Sequence, residues 1–359
     1  MDQSVKAMLL EQPAVSVNPL YHILCNCSSG YKTFCILNAA IELKIFDYLD
    51  TPQTSESLAE TLNLNPDFCY RILAYLKELN LVEENNRAYQ NSELSRCYLH
   101  SKAAFSQHNV VKNIHNGFKV WEQLREIVKN GPISANESTF FADNLIHSLA
   151  EEALCGELQK VVGIIKKLPQ FAKARSLLDL GGGHGLYSIA LTAANSALRA
   201  DVYDFPNVIE DTKKYIDRFC ADRVDTLAGN YFKDTLHKTY DIILFSYSPG
   251  GKNPEMVPKI CDWLNPAGIL ISKHCFYRRD EVSKSRLLDI EWNLLSFEGV
   301  SKDNNIYSFC GDYSLESYLE LLKKMFVIQD IVHAPDFSGQ QLDKIGDALD
   351  SILIIAKKK

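Results

Sequence analysis

The stretch "LLDLGGGHGLYSIAL", residues 177–191, decides how the rest of the chain is read. The apolar run Leu177–Leu180 passes into Gly181, Gly182, Gly183, His184 and Gly185, and an apolar helical pattern follows. Strand, glycine turn and helix open a βαβ unit in which backbone comes close to a ligand, because glycine has no Cβ to intervene. The spacing is Asp-x-Gly-x-Gly-x-Gly, through Asp179, Gly181, Gly183 and Gly185. Nicotinamide dinucleotide sites use Gly-x-Gly-x-x-Gly instead.

Further apolar runs alternate with helical segments after this point. They are "ADVYDF" (200–205), "VDTLAGNYF" (224–232), "YDIILFSYS" (240–248), "GILISKHCF" (268–276), "MFVIQDIVHA" (325–334) and "SILIIAKK" (351–358). The pattern predicts the α/β class, a Rossmann-like doubly wound and mostly parallel sheet whose ligand sits beyond the carboxyl ends of the strands. Asp204 ends the second strand 19 residues after Gly185, where a carboxylate accepts hydrogen bonds from both ribose hydroxyls, and Phe205 follows it. Asn230 and Tyr231 end the third strand as a polar partner and an apolar wall for an adenine, and Ser246 and Tyr247 end the fourth. No basic residue in the glycine turn neutralises a pyrophosphate. A nucleoside with a compact zwitterionic tail, S-adenosylmethionine, therefore fits the pattern better than a dinucleotide.

Composition sets outer bounds. The chain has 359 residues, 46% apolar and 23% charged, with a net charge of −7, so a polyanion is a poor main partner. No apolar run is long enough to span a membrane, and the N-terminus shows no secretory pattern. Ten scattered cysteines in such a chain suggest reduced thiols in the cytoplasm rather than a disulfide framework. No Asp/Asn/Glu cluster suggests a catalytic magnesium, and Cys25-Asn26-Cys27 lacks a second pair at zinc spacing, so no metal is expected.

Three segments are expected: a mainly α, winged-helix module at 1–105, a helical connector at 106–170 that contributes to the substrate pocket, and the cofactor-binding Rossmann-like domain at 171–359. In the first, helical spacing at 31–49, a capped helix at "TSESLAETLN", a helix opened by Asn65-Pro66, and the turn in "NNRAYQNSELS" give the winged-helix order. Such modules often bind DNA. Residues 1–105 hold eight Lys and Arg against twelve Asp and Glu, however, and the would-be recognition helix carries only Arg71 and Lys77. Phosphate contacts need a basic face, so the module suits burial against another chain rather than nucleic acid.

With these residues in view, the chain resembles the class I small-molecule O-methyltransferases that carry an N-terminal winged-helix dimerisation domain. "GYKTFCILNAAIELKIFDYL" (30–49) resembles the dimerisation helix, "LLDLGGGHG" (177–185) and "DVYDFP" (201–206) the first two cofactor motifs, and "LNPAGILI" (264–271) the approach to the fifth strand. The resemblance covers nearly the whole chain. It implies a homodimer, a cofactor at the strand ends and a small-molecule substrate held between domains, with residues 18–31 reaching the partner's pocket if the N-terminal segment is exchanged.

One departure bears on chemistry. In that family the fourth strand runs into Trp-x-x-His-Asp, whose histidine is the general base. In "YDIILFSYSPGGKNPE" (240–255), Ser246 and Tyr247 stand at the preceding Lys-Trp positions, and Gly250 and Gly251 stand where His-Asp belongs. Asp312 falls near the family's supporting Glu. Either the acceptor needs no histidine, as a low-pKa phenol or thiol or a nucleophilic carbon or nitrogen would not, or the base has moved. His274, after the fifth strand, is the first replacement, with Tyr247, His115, His147, Tyr277 and Tyr307 as further candidates and Asp312 in support. His115, His147, Gly250, Gly251, Trp292 and Tyr307 are candidates for the substrate pocket. Each aromatic or histidine is equally readable as a packed structural residue. The expected activity is methyl transfer to a small-molecule acceptor at O, C, N or S by in-line displacement. A non-methylating enzyme using the same cofactor, for decarboxylation or rearrangement, is the alternative, and a DNA-binding regulator a more distant one.

Overall fold

The computed structural model describes residues 3–136, 145–337 and 349–359. The chain divides into two compact units, Met1–His108 and Asn109–Lys359, so the helices after His108 belong to the second unit.

The first unit is built on a long helix, α1 (Asn18–Glu42), which starts well before the apolar spacing at 31–49 because Pro19 lies in its first turn and Gly30 does not interrupt it. Helix α2 (Ser55–Leu62) is capped by Thr54, whose side chain accepts the Ser57 N–H. Helix α3 (Pro66–Glu78) is capped by Asn65, which accepts the Phe68 N–H at 3.1 Å. Strand β1 (Gln53–Thr54) pairs with β3 (Ala88–Asn91), which pairs in turn with β2 (Val82–Asn85) across the turn at Asn86-Arg87. Leu58, Ala59, Cys69, Leu73 and Leu76 bury the shared faces of α2 and α3. Helix α3 leaves Phe68 and Tyr70 exposed, and α1 leaves Leu20, Tyr21, Ile23 and Leu24 exposed.

The second unit is organised by a seven-stranded sheet. Its strands are β4 (Ser176–Leu180), β5 (Arg199–Asp204), β6 (Val224–Ala228), β7 (Tyr240–Ser246), β8 (Leu264–Cys275), β9 (Phe326–His333) and β10 (Ser351–Lys358), in the order β9-β10-β8-β7-β4-β5-β6. The five strands from β8 to β6 run parallel, and β10 and β9 close one edge antiparallel. All seven expected strands are present. The third stops at Ala228, because the following Gly229–Asp234 segment is tied into a turn by Asp234 Oδ2, which accepts the Asn230 N–H at 2.7 Å.

Central strands buried on both faces read as continuous apolar runs. Ile242 and Leu244 of β7 pack with α5 (Glu157–Lys166) and α6 (Leu186–Ala194) on one side, while Ile243 and Phe245 pack with α7 (Met256–Trp263) on the other. Each such side chain, fully removed from water, contributes roughly 1.5–3 kcal/mol. Sequence order runs outward from β4 to β6 and then returns to β7 on the other side of β4. That reversal leaves a crevice at the carboxyl ends of β4 and β7. Replacing Asn65 by Ala should lower the unfolding free energy by about 1 kcal/mol, measured by denaturant titration, because the first turn of α3 loses its cap.

Candidate active site

The glycine turn is shaped by what surrounds it. Gly181, Gly183 and Gly185 adopt φ of +64°, +53° and +71°, which favours glycine at each position. A Cβ on Gly181 would lie 2.2 Å from Ser248 Oγ, and one on Gly182 would lie 2.6 Å from the carboxyl carbon of Asp179. Asp179 is buried beneath the turn and accepts a hydrogen bond from Ser188 Oγ at 2.9 Å. Burial pushes its pKa up to about 7. Asp204 ties the turn to β5 by accepting the Gly183 N–H at 2.9 Å and its neighbour Phe205 N–H at 2.7 Å. Burial outweighs those two donors and raises Asp204 to about 6. His184 accepts the Leu186 N–H at 3.1 Å, and burial, followed by the nearby Lys273 and His147 charges, pushes its ring down to about 3. It is neutral at ordinary pH.

A cavity opens over these strand ends. Asp179 and Gly181–Gly183 form its centre, Asp204, Phe205 and Val208 one end, and Tyr231 with Ser246–Pro249 one side. Helix α4 (Ile146–Leu154) supplies Ile146, Leu149 and Glu152, and Glu157 of α5 and Tyr187 of α6 complete the wall with Lys273 of β8. Tyr247 leaves β7 in a left-handed conformation, φ +48°, that bulky residues seldom adopt. Its N–H is held by the Lys273 carbonyl at 2.9 Å, and its ring centre lies 4.2 Å from Lys273 Nζ. Lys273 is 1% exposed and donates to Glu157 Oε1 and, at 2.7 Å, to Tyr187 OH.

The residues expected at the cofactor thus lie together, with two qualifications. Gly185 is the N-cap of α6 rather than part of the cavity wall. Asn230 lines a second hollow with Phe232, Lys233 and Glu298, which shares Phe205 with the first, and its Oδ1 accepts the Phe232 N–H at 3.0 Å.

The residues expected at the acceptor are mostly elsewhere. His274 is buried on the opposite face of β8 from Lys273, between Phe245 and Phe276, and does not line the cavity. Its Nε2 has no hydrogen-bond partner among the described residues, and burial holds the ring well below the usual imidazole range. Gly250 and Gly251 do not widen the pocket. A Cβ on Gly250 would meet the Phe232 ring at 2.2 Å, and one on Gly251 would meet the His274 ring at 1.9 Å. Asp312 pairs with the buried Lys252 at 3.2 Å, away from the cavity. His147 bonds the Tyr215 hydroxyl at 2.9 Å, and His115 lies outside the wall. Trp292 packs against Tyr307 and Phe309 and donates to the Asp303 carbonyl at 3.1 Å, so it belongs with Tyr307 to a separate aromatic cluster.

Sequence reasoning missed Lys273, Glu157 and Tyr187. In "ISKHCF" it selected His274 and passed over its neighbour. Because consecutive strand residues point to opposite faces, only one of the two reaches the cavity. Alternation from Ile269 and Ile271, which share a face with the helices that wall the cavity, would have identified Lys273.

A doubly wound sheet with this crevice is the fold of S-adenosylmethionine-dependent methyltransferases. Family profiles for the O-methyltransferase dimerisation domain and the O-methyltransferase domain match residues 25–101 and 143–248. An uncharacterised protein of Methanocaldococcus jannaschii is 36% identical over 341 residues, 92% of this chain and 91% of that protein. Acetylserotonin O-methyltransferase of Bos taurus is 24% identical over 234 residues, 60% of this chain and 68% of that one. Among solved structures, an O-methyltransferase family protein from Burkholderia thailandensis superposes with a TM-score of 0.70 at 18% identity, covering 97% of this chain and 99% of that one. Human N-acetylserotonin methyltransferase in complex with SAM gives 0.67 at 17% identity, with 97% and 99% covered. The chain belongs to the O-methyltransferase family, in which a dimerisation domain precedes the catalytic domain.

Two outcomes follow from this geometry. Gly251→Ala should destabilise the protein by about 1–3 kcal/mol, and the Gly251→Ala/His274→Ala double variant should be less destabilised than the sum of the single changes, read by denaturant titration. Asp179 and Asp204 titrate near pH 7 and pH 6 when folded, against 3.8 for an ordinary aspartate, so the native state holds extra protons in that window. Their contribution to the stability of ligand-free protein therefore falls as pH rises from about 4 to 7. Asp204→Asn should flatten part of that slope in thermal melts, and a curve parallel to the parent would contradict the assignment.

Proposed function

We propose that the chain transfers the methyl group of S-adenosylmethionine to a small-molecule acceptor over the carboxyl ends of β4 and β7. The observation that carries this reading is Asp204, bonded to the glycine turn through Gly183 N–H and facing a cavity walled by Phe205, Val208 and Tyr231. Its remaining lone pairs suit the two ribose hydroxyls, Phe205 and Tyr231 suit an adenine face, and the bare backbone of Gly183, whose missing Cβ would meet nothing within 4 Å, leaves space beside the turn. Ser246 and Tyr247 close the opposite side. Bound there, the cofactor supplies an electrophilic methyl group on a sulfonium. The chain's residues orient the two reactants and exclude water, which supplies much of the acceleration of an in-line displacement.

Among the described residues, the only imidazole on the cavity wall is His184, which is neutral and already accepts a backbone N–H. An acceptor that is nucleophilic without a histidine base fits this wall, such as a phenol or thiol of low pKa. The first unit, with its winged-helix order of elements and the exposed apolar residues Leu20, Tyr21, Ile23 and Leu24 on α1, suits a homodimer formed through that helix. The ten cysteines suit a reducing compartment such as the cytoplasm.

Two measurements test the proposal. Calorimetry with S-adenosylhomocysteine should give binding to the parent and none to Asp204→Ala at matched folding by circular dichroism. Methyl-labelled cofactor offered with a panel of phenols, thiols and carbon acids should yield labelled product and S-adenosylhomocysteine, and no turnover with any acceptor would sink the methyl-transfer reading.

A further inference from the structure

The cavity wall carries four carboxylates, Glu152, Glu157, Asp179 and Asp204, and one cation among the described residues, Lys273. Burying an ammonium costs several kcal/mol before compensation. The neighbouring residues of β8 on the same face, Ile269 and Ile271, are apolar, so strand packing alone does not call for a lysine there.

Three features point Lys273 toward a ligand. An ammonium has three N–H donors, and its hydrogen bonds go to two protein atoms, Glu157 Oε1 and Tyr187 OH. Tyr187 also donates to Glu157 at 3.1 Å, so the cation and the carboxylate are held in one preformed cluster. Finally, Tyr187 lies two residues after Gly185, which places Lys273 Nζ beside the glycine turn, on the side away from Asp204. Strands β5 and β8 are three positions apart in the sheet, roughly 14 Å at ordinary strand spacing, so Lys273 and Asp204 are rooted at separate places along the carboxyl edge.

Resting on the cofactor reading above, we infer that Lys273 and Glu157 form a two-charge seat for the amino-acid tail of the cofactor, Lys273 taking the α-carboxylate and Glu157 the α-ammonium. A zwitterion meets a zwitterion, so neither protein charge is left buried without a partner. The rings of Tyr187 and Tyr247, 4.9 and 4.2 Å from Lys273 Nζ, hold the cation in place and shield it from water. Lys273 is thus a positioning residue for the reaction: fixing the carboxylate fixes the far end of the chain that carries the sulfonium. The seat also sets specificity, favouring nucleosides that keep the carboxylate over decarboxylated ones.

Calorimetry separates the possibilities with three ligands: S-adenosylhomocysteine, its decarboxylated analogue, and 5′-methylthioadenosine, which lacks the whole tail. In the parent protein, loss of the carboxylate should weaken binding by about tenfold or more, as expected for a charged hydrogen bond. The Lys273→Met/Glu157→Gln double variant removes both charges together and leaves neither unpaired. It should bind S-adenosylhomocysteine and the decarboxylated analogue alike, while its affinity for 5′-methylthioadenosine matches the parent's. An equal carboxylate effect in both proteins, or none in the parent, overturns the assignment. Failure of 5′-methylthioadenosine to bind the parent counts against the nucleoside site itself. Should the double variant not fold, a crystal structure of the parent with S-adenosylhomocysteine decides: the carboxylate lies within hydrogen-bond distance of Lys273 Nζ, or the inference is wrong.

Discussion

The second unit depends on how closely two backbones approach at the junction of β4 and β7. Gly181 follows β4 and Ser248 follows β7, and no Cβ fits between the Gly181 backbone and the Ser248 side chain. That approach lets the turn after β4 sit under the loop after β7. It brings Asp179, Ser246 and Tyr247 to one cavity and leaves Asp204, one strand further on, to clamp the turn through Gly183. Neighbouring loops enforce the same constraint: Gly250 lies against Phe232, and Gly251 against His274. The glycines at the carboxyl edge of this sheet thus serve two purposes, a turn that lines the cavity and a close fit of loop on core.

Much of this was legible in the sequence. The central strands announce themselves as apolar runs because strands buried on both faces carry no polar alternation, and the glycine turn with Asp204 marks the carboxyl edge where the cavity opens. The cap Asn65 was legible, and that of α2 to within Thr54 or Ser55, because the chemistry of a helix start is local. What stayed hidden was long-range. Gly250 and Gly251 look like a flexible loop until Phe232 and His274, distant in sequence, are seen against them. The acceptor candidates Trp292, Tyr307 and Asp312 find partners among themselves and with Phe309 and Lys252, which no local pattern reports. Glu157, more than a hundred residues before Lys273, becomes its partner only once α5 packs beside the sheet.

The site separates charge from proton transfer. Among the described residues its one imidazole, His184, is neutral and committed to backbone, and its ionisable groups are otherwise carboxylates, tyrosines and one lysine, while His274 is buried on the far side of the sheet. Such a lining suits a cationic ligand and orients what it holds. Among the described residues, an acceptor held there meets no imidazole but His184, whose Nδ1 already accepts a backbone N–H.

The contact between Gly251 and His274 also constrains how the chain can change. The imidazole fills the volume that any side chain at position 251 would need, so the two positions share one space between them. A side chain placed at position 251 would have to displace the ring already rooted in β8. Positions 251 and 274 therefore change together more readily than singly, since each single step passes through an overfilled or a hollow core.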